Sequence, residues 1–374
     1  MIPFNKPFLT GKETQYINDA VNSGHISGNG NFTKKCQSFF ENKYGFKKCL
    51  LTTSCTDALE MAALLLNLDS KDEVIIPSYT FVSTALAFDR ENATIVFADS
   101  NSENPNIDIN KIEELITSKT KALVLVHYAG ISIDMDRVLE IVKRNNLFLI
   151  EDAAQAIDSY YKGKALGSFG DMATFSFHET KNIISGEGGL LVINNPNLIK
   201  RAEIVWEKGT NRSAFFRGEV DKYSWVDTGS SFLPSEVVAA FLFAQLENLD
   251  RIQKKRRKIW NYYYNELKDI ALKNKIRLPY IPDYSTNNSH MFYIICKTAD
   301  ERTALIKYLK EFNIMSVFHY LSLHKSNYYK DKCKNTDLYY SDLYSNTLLR
   351  LPFYFELTRE DQTLIISKIK EFYQ

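Results

Sequence analysis

Short apolar runs alternate with longer amphipathic segments between residues 48 and 195. The apolar runs are residues 49–52, 74–76, 95–97, 122–126 and 148–150. Between them, in segments such as 57–68 and 135–145, apolar residues recur at positions i, i+3 and i+4, which is the period of a helix. This βαβ alternation predicts a mostly parallel sheet with helices on both faces, and the runs 174–177 and 190–193 extend the sheet.

The pattern changes after residue 234 to long helical segments. Residues 234–257 predict a single helix that begins at Pro234, because proline is favoured at the first helical position. Beyond it the pattern predicts a small α+β unit, with strands at 290–296 and 315–318 and helices at 304–312 and 361–372. We therefore expect a large domain over 1–250 and a small C-terminal domain over 251–374.

The composition is that of an ordinary globular protein, with 374 residues, of which 45% are hydrophobic and 24% charged. A net charge of +1 gives no general attraction to nucleic acid or to acidic membranes, and the basic cluster 254–257 is expected to be a solvated helix face. The first residues show no export signal, and no apolar run is long enough to span a bilayer. With five cysteines and no CxxC spacing, we expect a reduced, cytoplasmic setting.

Candidate anion-binding groups follow the first predicted strand. In open α/β sheets, ligands bind outside the carboxyl ends of the strands. Ser54, Cys55 and Thr56 come directly after the run 49–52 and open a helix, whose free backbone N–H groups form a ready anion site. For these residues alone an ordinary helix cap, Ser54 with Asp57 three residues later, is the favoured interpretation, because capping is general and phosphate binding is not.

An aromatic residue and a carboxylate follow two further strands. Phe81 lies on the loop after 74–76, where its ring can face a planar ligand, although core packing explains most aromatics in a chain with 24 Phe and 22 Tyr. Asp152 follows 148–150, and a carboxylate at the end of a buried strand needs a cation or hydrogen-bond donors. A protonated pyridine nitrogen is one such partner, and a helix N-cap is the other interpretation.

Lys181 is the candidate nucleophile, in the loop that follows 174–177. Most loop lysines are simply solvated. This one follows a strand of the same sheet and precedes the glycine-rich segment 186–189, so it can act as a Schiff-base lysine. A phosphate-type helix start, an aromatic loop, a strand-end Asp and a strand-end Lys, in that order, are the layout of fold-type I pyridoxal-phosphate enzymes.

The chain resembles the sugar aminotransferases of the DegT/DnrJ/EryC1/StrS family along essentially its whole length. The resemblance rests on the motifs Ser54-Cys55-Thr56, 77–81 (PSYTF), 127–130 (HYAG), 151–155 (EDAAQ) and 176–182 (SFHETKN). It implies an α/β fold of type I, a mostly parallel sheet flanked by helices with a smaller C-terminal α+β domain. It also implies pyridoxal 5′-phosphate as cofactor and a homodimer whose active sites are completed by loops of the other subunit.

The resemblance also implies roles for individual residues. It places the cofactor among Ser54, Cys55, Thr56, Phe81, Asp152, Gln155, Ser176 and Lys181. Lys181 carries the cofactor as a Schiff base, Asp152 faces the pyridine nitrogen and Gln155 lies near the ring hydroxyl. Ser54, Cys55, Thr56 and Ser176 hold the phosphate, and Phe81 stacks on the ring. Many relatives have an Asn, used from the partner subunit, where this chain has the segment 230–234 (SSFLP).

Within the family, the chain resembles the dTDP-4-amino-4,6-dideoxygalactose transaminase subgroup through residues 207–213, 215–218 and 221–225. This implies transfer of an amino group from glutamate to C4 of a dTDP-4-keto-6-deoxyhexose, for surface polysaccharide such as lipopolysaccharide. Both configurations of the amine stay open, with the galacto series favoured. Arg212 and Lys222 are the candidates for the substrate phosphates, and His319 and Tyr320 lie near the sugar. No metal site is expected.

Two other functions fit parts of the same pattern. A dehydratase or lyase can use the same cofactor and fold, although the sugar dehydratases of the family have histidine where this chain has Lys181. A non-catalytic regulator can retain the fold, although the presence of Lys181, Asp152 and Gln155 together argues against it.

The segment 208–225 is expected to form the dimer interface. It has too few apolar repeats to pack as its own unit, yet it carries Phe215, Phe216, Tyr223 and Trp225, and Trp206 lies just before it. Aromatic residues beside arginine are typical interface anchors. We therefore expect Arg212 or Lys222 to reach the substrate phosphates of the partner subunit.

Overall fold

The computed structural model describes residues 1–333 and 337–374. The helices are α1 (Glu13–Asn22), α2 (Asn31–Tyr44), α3 (Cys55–Leu65), α4 (Ser83–Arg90), α5 (Ile112–Leu115), α6 (Met135–Arg144), α7 (Ile199–Trp206), α8 (Arg212–Phe216), α9 (Glu236–Leu246), α10 (Leu249–Leu272), α11 (Ala299–Glu311), α12 (Tyr339–Thr347) and α13 (Arg359–Phe372). The strands are β1 (Lys48–Thr52), β2 (Glu73–Pro77), β3 (Thr94–Ala98), β4 (Thr120–Val126), β5 (Phe148–Asp152), β6 (Tyr160–Tyr161), β7 (Lys164–Ala165), β8 (Met172–Ser176), β9 (Gly189–Ile193), β10 (Tyr293–Ile295), β11 (Val317–Phe318) and β12 (Leu348–Arg350).

A seven-stranded sheet, in the order β1-β9-β8-β5-β4-β2-β3, forms the centre of the molecule. Strand β9 runs antiparallel to both of its neighbours, β1 and β8, whereas the other neighbouring pairs are parallel. The predicted mostly parallel sheet is thereby confirmed. Every predicted strand between residues 49 and 193 is present, with ends that differ by one or two residues.

Successive residues of each central strand are buried in two different cores. Leu50 and Ile150 pack on one face with α3, α4 and α7, whereas Leu51 and Leu149 pack on the other with α2, α6 and α9. Because both faces are covered, the strands are apolar runs rather than alternating ones. The predicted covering of the sheet by helices on both faces is also confirmed.

A second, three-stranded antiparallel sheet, in the order β10-β12-β11, forms the C-terminal α+β unit. Its core combines residues of α10, α11 and α13 with Phe292 and Leu349, and it also takes in Ile2 from the start of the chain. The central strand β12 ends at Arg350, which places a charged residue at the end of this strand. The division of the chain at residue 250 stays a prediction.

The prediction of one helix over 234–257 is wrong. Two helices, α9 and α10, occupy this stretch and are separated at Glu247 and Asn248, where the Asn248 amide donates to the carbonyl of Ala244. Such side-chain bonds to a preceding carbonyl compete with the helical pattern. Helix α9 begins after Ser235, which is its N-cap, and not at Pro234.

The expectation of a solvated basic face at 254–257 is also wrong for one residue. Arg256 is buried and donates to the carbonyls of Ser289 and His290, at 3.0 and 2.6 Å. A buried guanidinium must find acceptors, and here the backbone supplies them. Across 1–333 and 337–374, none of the helices has the length and apolar character needed to cross a membrane.

Candidate active site

A cavity of about 420 Å³ lies where β1, β2, β5 and β8 end. All eight residues that the sequence assigns to the cofactor line it, together with His319 and Tyr320 from the C-terminal unit. Parallel strands bring their carboxyl ends to one edge of a sheet, which explains why residues so distant in sequence meet there.

The turn from β1 into α3 forms one wall of the cavity. Ser54 is the N-cap of α3, and its hydroxyl accepts from the N–H of Asp57 at 3.0 Å, so the capping interpretation is correct. Gly189 packs so closely on this turn that a Cβ there would lie 2.3 Å from the Ser54 carbonyl oxygen. The cap and the glycine hold the helix start in place, and its first residues line the cavity, where the free N–H groups of a helix start suit an anion.

Asp152 is the last residue of β5 and is almost fully buried. Its carboxylate accepts from the Thr84 hydroxyl at 2.7 Å and from the N–H of Ala154 at 3.1 Å. No helix begins directly after Asp152, since the next element of the described chain is β6, so the N-cap interpretation of Asp152 is wrong. Burial raises the pKa of Asp152, while the two hydrogen bonds and the charge of Lys181 oppose this shift. Both donors are neutral, so the site suits a further, positively charged partner.

Lys181 lies five residues beyond the end of β8, with its backbone N–H bonded to the His178 carbonyl at 2.9 Å. Its side chain lines the cavity rather than extending into bulk solvent. Burial lowers the pKa of Lys181, the nearby Cys55 and Asp152 oppose this, and Arg350 reinforces it. The surroundings therefore favour the neutral amine, which is the nucleophilic form.

Gln155 and the two residues His319 and Tyr320 form a connected polar wall. The side-chain oxygen Oε1 of Gln155 accepts from the N–H of Ala129 at 2.6 Å, and the side-chain NH₂ group donates to the Tyr320 hydroxyl at 3.0 Å. His319 Nδ1 lies 2.6 Å from the Tyr128 hydroxyl. Tyr320 has a left-handed φ of 51°, a conformation that costs energy in a non-glycine residue. The wall is thus held from two parts of the chain.

Phe81 lies at the mouth of the cavity. Its ring is 55% exposed, and its centroid is 6.1 Å from that of Tyr320. It is therefore free to cover a planar group in the cavity, and the core-packing interpretation of Phe81 is wrong.

Arg212 and Lys222 are not brought to this cavity within one chain. Arg212 begins α8, lies 5.2 Å from the Phe216 ring and lines a separate cavity of about 870 Å³. Lys222 is exposed on the following loop and lines neither cavity. Their assignment to the substrate phosphates stays a prediction that requires the partner subunit.

The aromatic residues expected at the interface separate into two kinds. Trp206 is buried in the core, where its indole donates to the Leu51 carbonyl at 2.6 Å, so its assignment to an interface is wrong. Trp225 is 80% exposed, and Phe215, Phe216 and Tyr223 are also exposed. These four side chains are available to a partner.

Thr84, His290 and Arg350 are among the cavity residues that the sequence did not assign to the site. Arg350 is notable because its guanidinium carbon lies 4.7 Å from the Phe4 ring while its Nε has no hydrogen-bond partner in the described part of the chain. The available signal was a polar residue beside apolar strand residues, as in Leu348-Leu349-Arg350 and His290-Met291-Phe292. No group of three His, Cys, Asp or Glu residues within 1–333 and 337–374 is arranged to hold a metal ion.

Comparison with known proteins agrees with this geometry. Residues 7–370 match the model of the DegT/DnrJ/EryC1/StrS aminotransferase family. The chain is 33% identical to GDP-perosamine synthase of Escherichia coli O157:H7, over 100% of this chain and 98% of the relative. It is 31% identical to the spore coat polysaccharide biosynthesis protein SpsC of Bacillus subtilis, over 99% and 96%. The putative sugar aminotransferase Spr1654 of Streptococcus pneumoniae, in its PMP form, superposes with a TM-score of 0.93 at 25% identity, over 100% and 99% of the two chains.

The fold and the cavity define a pyridoxal-phosphate-dependent aminotransferase of fold type I, with Spr1654 also known in a PLP form. The chain belongs to the DegT/DnrJ/EryC1/StrS family of sugar aminotransferases.

Proposed function

We propose that this protein transfers the amino group of glutamate to C4 of a nucleotide-linked 4-keto-6-deoxyhexose, with a dTDP-linked sugar as the favoured substrate. The observation that carries this proposal is that Lys181 and Asp152 line one cavity with the start of α3. The product, a dTDP-4-amino-4,6-dideoxy sugar of the galacto series, would serve the synthesis of a surface polysaccharide such as lipopolysaccharide.

The residues of the cavity fit pyridoxal 5′-phosphate. The N–H groups of α3, with the hydroxyls of Thr56 and Ser176, suit a phosphate, and Asp152 suits a protonated pyridine nitrogen. Lys181 suits covalent attachment. When bound, the cofactor withdraws electrons from the donor's α-carbon and stores the amino group between the two half-reactions.

Lys181 and Asp152 have different roles in the reaction: Lys181 transfers the proton, and Asp152 stabilises the charge of the cofactor ring. Freed from the cofactor, Lys181 Nζ takes the proton from the α-carbon of the donor and later delivers a proton as an acid. The burial that lowers the pKa of Lys181 favours the amine for the first of these steps. The carboxylate of Asp152 keeps the pyridine nitrogen protonated, and that cation in turn stabilises the buried carboxylate.

Arg350 is the residue we assign to the carboxylate of glutamate. It is a buried cation that lines the cavity, and its Nε lacks a partner within 1–333 and 337–374. Burial lowers the pKa of Arg350, and the nearby hydroxyls of Tyr128, Tyr320 and Tyr79 oppose this shift. A carboxylate from the donor would complete its hydrogen bonds in the forked geometry that arginine favours.

The nucleotide and the partner subunit complete the substrate site. His319 and Tyr320 present donors and acceptors from the cavity wall to the sugar. The exposed Arg212 and Lys222 would hold the diphosphate from the other subunit of a homodimer. The curated relative GDP-perosamine synthase supports a GDP-linked sugar as the alternative, since the identity to it extends over the whole chain.

The test is incubation of the purified protein with glutamate, the cofactor and either dTDP-4-keto-6-deoxyglucose or its GDP-4-keto-6-deoxymannose counterpart. NMR of the sugar then identifies the product and the configuration at C4. We expect an amine at C4 of the dTDP sugar, formed in step with 2-oxoglutarate. Loss of water from the sugar without 2-oxoglutarate would identify a dehydratase, and a protein that binds no cofactor would be a regulator.

A further inference from the structure

His290 is a cavity residue to which the proposed reaction gives no role. It lies three residues before β10, is buried, and lines the same cavity as Lys181. Buried histidines in an active site act according to which ring nitrogen carries the proton. For His290, the hydrogen bonds of the chain determine which ring nitrogen carries the proton.

Asn182, the residue after Lys181, determines the tautomer. Its amide nitrogen lies 2.8 Å from Gln253 Oε1 and 3.0 Å from the carbonyl oxygen of Asn288. A backbone carbonyl only accepts, so the atom that faces it is the NH₂ group, and Asn182 Oδ1 faces the other way. That oxygen lies 2.8 Å from His290 Nδ1. His290 Nδ1 therefore donates, and a neutral ring has its lone pair on Nε2.

The segment that carries His290 is held from both sides. Arg256 of α10 donates to the carbonyls of Ser289 and His290, and Asn288 donates to the carbonyls of Gln155 and Ile157. Ser289 has a left-handed φ of 53°, which the surrounding bonds must stabilise. A side chain fixed this firmly beside a reactive lysine is typical of a residue that positions a catalytic group.

The surroundings keep the ring uncharged. Burial lowers the pKa of His290 well below its usual value, and the positive charges of Lys181, Arg350 and Arg256 lower it further, with a smaller contribution from His319. Within the described residues, the ring's own hydrogen bond goes to the neutral Asn182 and to no carboxylate. A charged imidazolium would have no carboxylate partner there, whereas the neutral ring already has its hydrogen bond to Asn182.

We propose that His290 is a positioning residue for Lys181, with which it lines the same cavity. When the donor is bound and Lys181 is free of the cofactor, the ε-amino group of Lys181 donates a hydrogen bond to His290 Nε2. This orients the lone pair of Lys181 Nζ towards the donor's α-carbon while the lysine is free of the cofactor. The proposal rests on the proposed transaminase function, because it assigns Lys181 the proton transfer.

Nitrogen-15 NMR of protein labelled at histidine tests the tautomer without any turnover. The signal of His290 is assigned as the one that disappears in His290→Gln. We expect a neutral ring with the proton on Nδ1 at pH 7.5, in both the cofactor-free and the cofactor-bound protein. Replacement of Asn182 by Leu should remove the preference for the proton on Nδ1. A proton on Nε2, or a charged ring, would overturn the proposal.

Two substitutions distinguish the roles of the two ring nitrogens. His290→Gln places its amide near the position of Nε2, whereas His290→Asn places its amide near Nδ1 and keeps the contact with Asn182. We expect His290→Asn to slow the conversion of the bound cofactor by glutamate about tenfold or more, because the lysine loses its orientation. His290→Gln should stay within about threefold of the native rate, as expected for exchange of one neutral hydrogen bond for another.

The opposite order, with His290→Asn the milder change, would reduce His290 to a support for Asn182 and sink the proposal. Circular dichroism and cofactor titration of both variants establish that they are folded and bind the cofactor. If the native protein itself fails to convert its cofactor with glutamate, the proposed function fails. If only the order of the variants is reversed, the function stands and this inference fails.

Discussion

Asp152 and Lys181 are affected by the same burial in opposite directions. The pKa of Asp152 is raised and that of Lys181 is lowered, because each loses the hydration of its charged form. Both shifts favour the uncharged pair in the cofactor-free protein. A cationic ring beside Asp152 would oppose this shift and favour the carboxylate.

Lys181→Ala is expected to abolish turnover and to leave the fold unchanged, since the side chain lines a cavity and contributes little to the cores. Borohydride reduction of the native protein should fix the cofactor to the peptide that contains Lys181, as identified by mass spectrometry. Lys71→Ala, at an exposed position that lines neither cavity, is the control and should keep both activity and labelling. Labelling of a different lysine would refute the assignment.

Asp152→Asn is expected to lower the rate of amino transfer by about 100-fold or more while the cofactor stays bound, because an amide cannot hold the pyridine nitrogen protonated. Absorbance titration with cofactor and the rate of the glutamate half-reaction measure the two effects separately. The exposed Asp136→Asn is the control. A near-native rate in Asp152→Asn would leave Asp152 with a structural role only.

The same substitution is expected to stabilise the cofactor-free protein near neutral pH. A carboxyl whose pKa is raised in the folded state contributes stability at low pH that is lost as the pH rises through the folded pKa, and Asp152 is such a group. Asp152→Asn removes the ionisable group and therefore this loss of stability with rising pH. Thermal unfolding should show the variant to be more stable than the native protein at pH 7.5, with the difference disappearing below about pH 4, the usual range of aspartate. An equal difference at both pH values would contradict this.

The residue scale also marks how far the sequence could predict the site. Lys181, Asp152 and Ser54 were predictable because each follows its own strand, which is local information. Arg350 and His290 were not, since they reach the cavity through the packing of the C-terminal unit against residues more than 100 positions away. Solvation of Arg256 was predicted wrongly for the same reason, because its acceptors belong to a distant loop.

At the scale of elements, the central sheet was predictable and the helical region after it was not. Strands buried on both faces give unmistakable apolar runs. The break between α9 and α10 depends on a single side-chain bond, from Asn248 to Ala244, within a continuous amphipathic pattern. Periodicity does not detect such a break.

Gly189→Ala tests the contact between β9 and the helix start of α3. The new methyl group would lie 2.3 Å from the Ser54 carbonyl oxygen, so the turn must shift. We expect about 1–3 kcal/mol of lost stability and a weaker affinity for the cofactor, measured by denaturation and by absorbance titration. Gly186→Ala in the same loop meets open space but has a φ of 79°, so it should cost stability of about 1–2 kcal/mol and leave cofactor affinity unchanged. Equal effects on affinity would exclude the proposed contact.

At the scale of the whole molecule, the separation of Arg212 from Lys181 points to assembly. Phe216, Tyr223 and Trp225 are exposed on the segment that carries Arg212, and the cavity lined by Arg212 shares no residue with that of Lys181. Large exposed aromatics beside arginine are typical of an interface. A dimer would bring the two sets of residues together.

Mixing two inactive variants tests this directly. Lys181→Ala and Arg212→Ala protomers should together regain part of the activity under conditions of subunit exchange, because one site of the mixed dimer then contains no mutation. Sedimentation establishes the dimer, and Lys181→Ala mixed with Asp152→Asn is the control that should not recover, because both residues line the same cavity of one chain. A monomer, or a mixed dimer without activity, would contradict the shared site.

The hydrogen bonds by which Asn288 and Arg256 hold the segment of His290 have a consequence for recombination between family members. It ties the C-terminal unit to the carbonyls of Gln155 and Ile157 on the other side of the cavity. A chimaera that joins the first 250 residues of this chain to the remainder of a relative would import a foreign partner for Asn182 and a foreign residue at position 350. An exchange of substrate preference in this way should therefore succeed only when residues 288–290 and the loop at 155–157 come from the same parent protein.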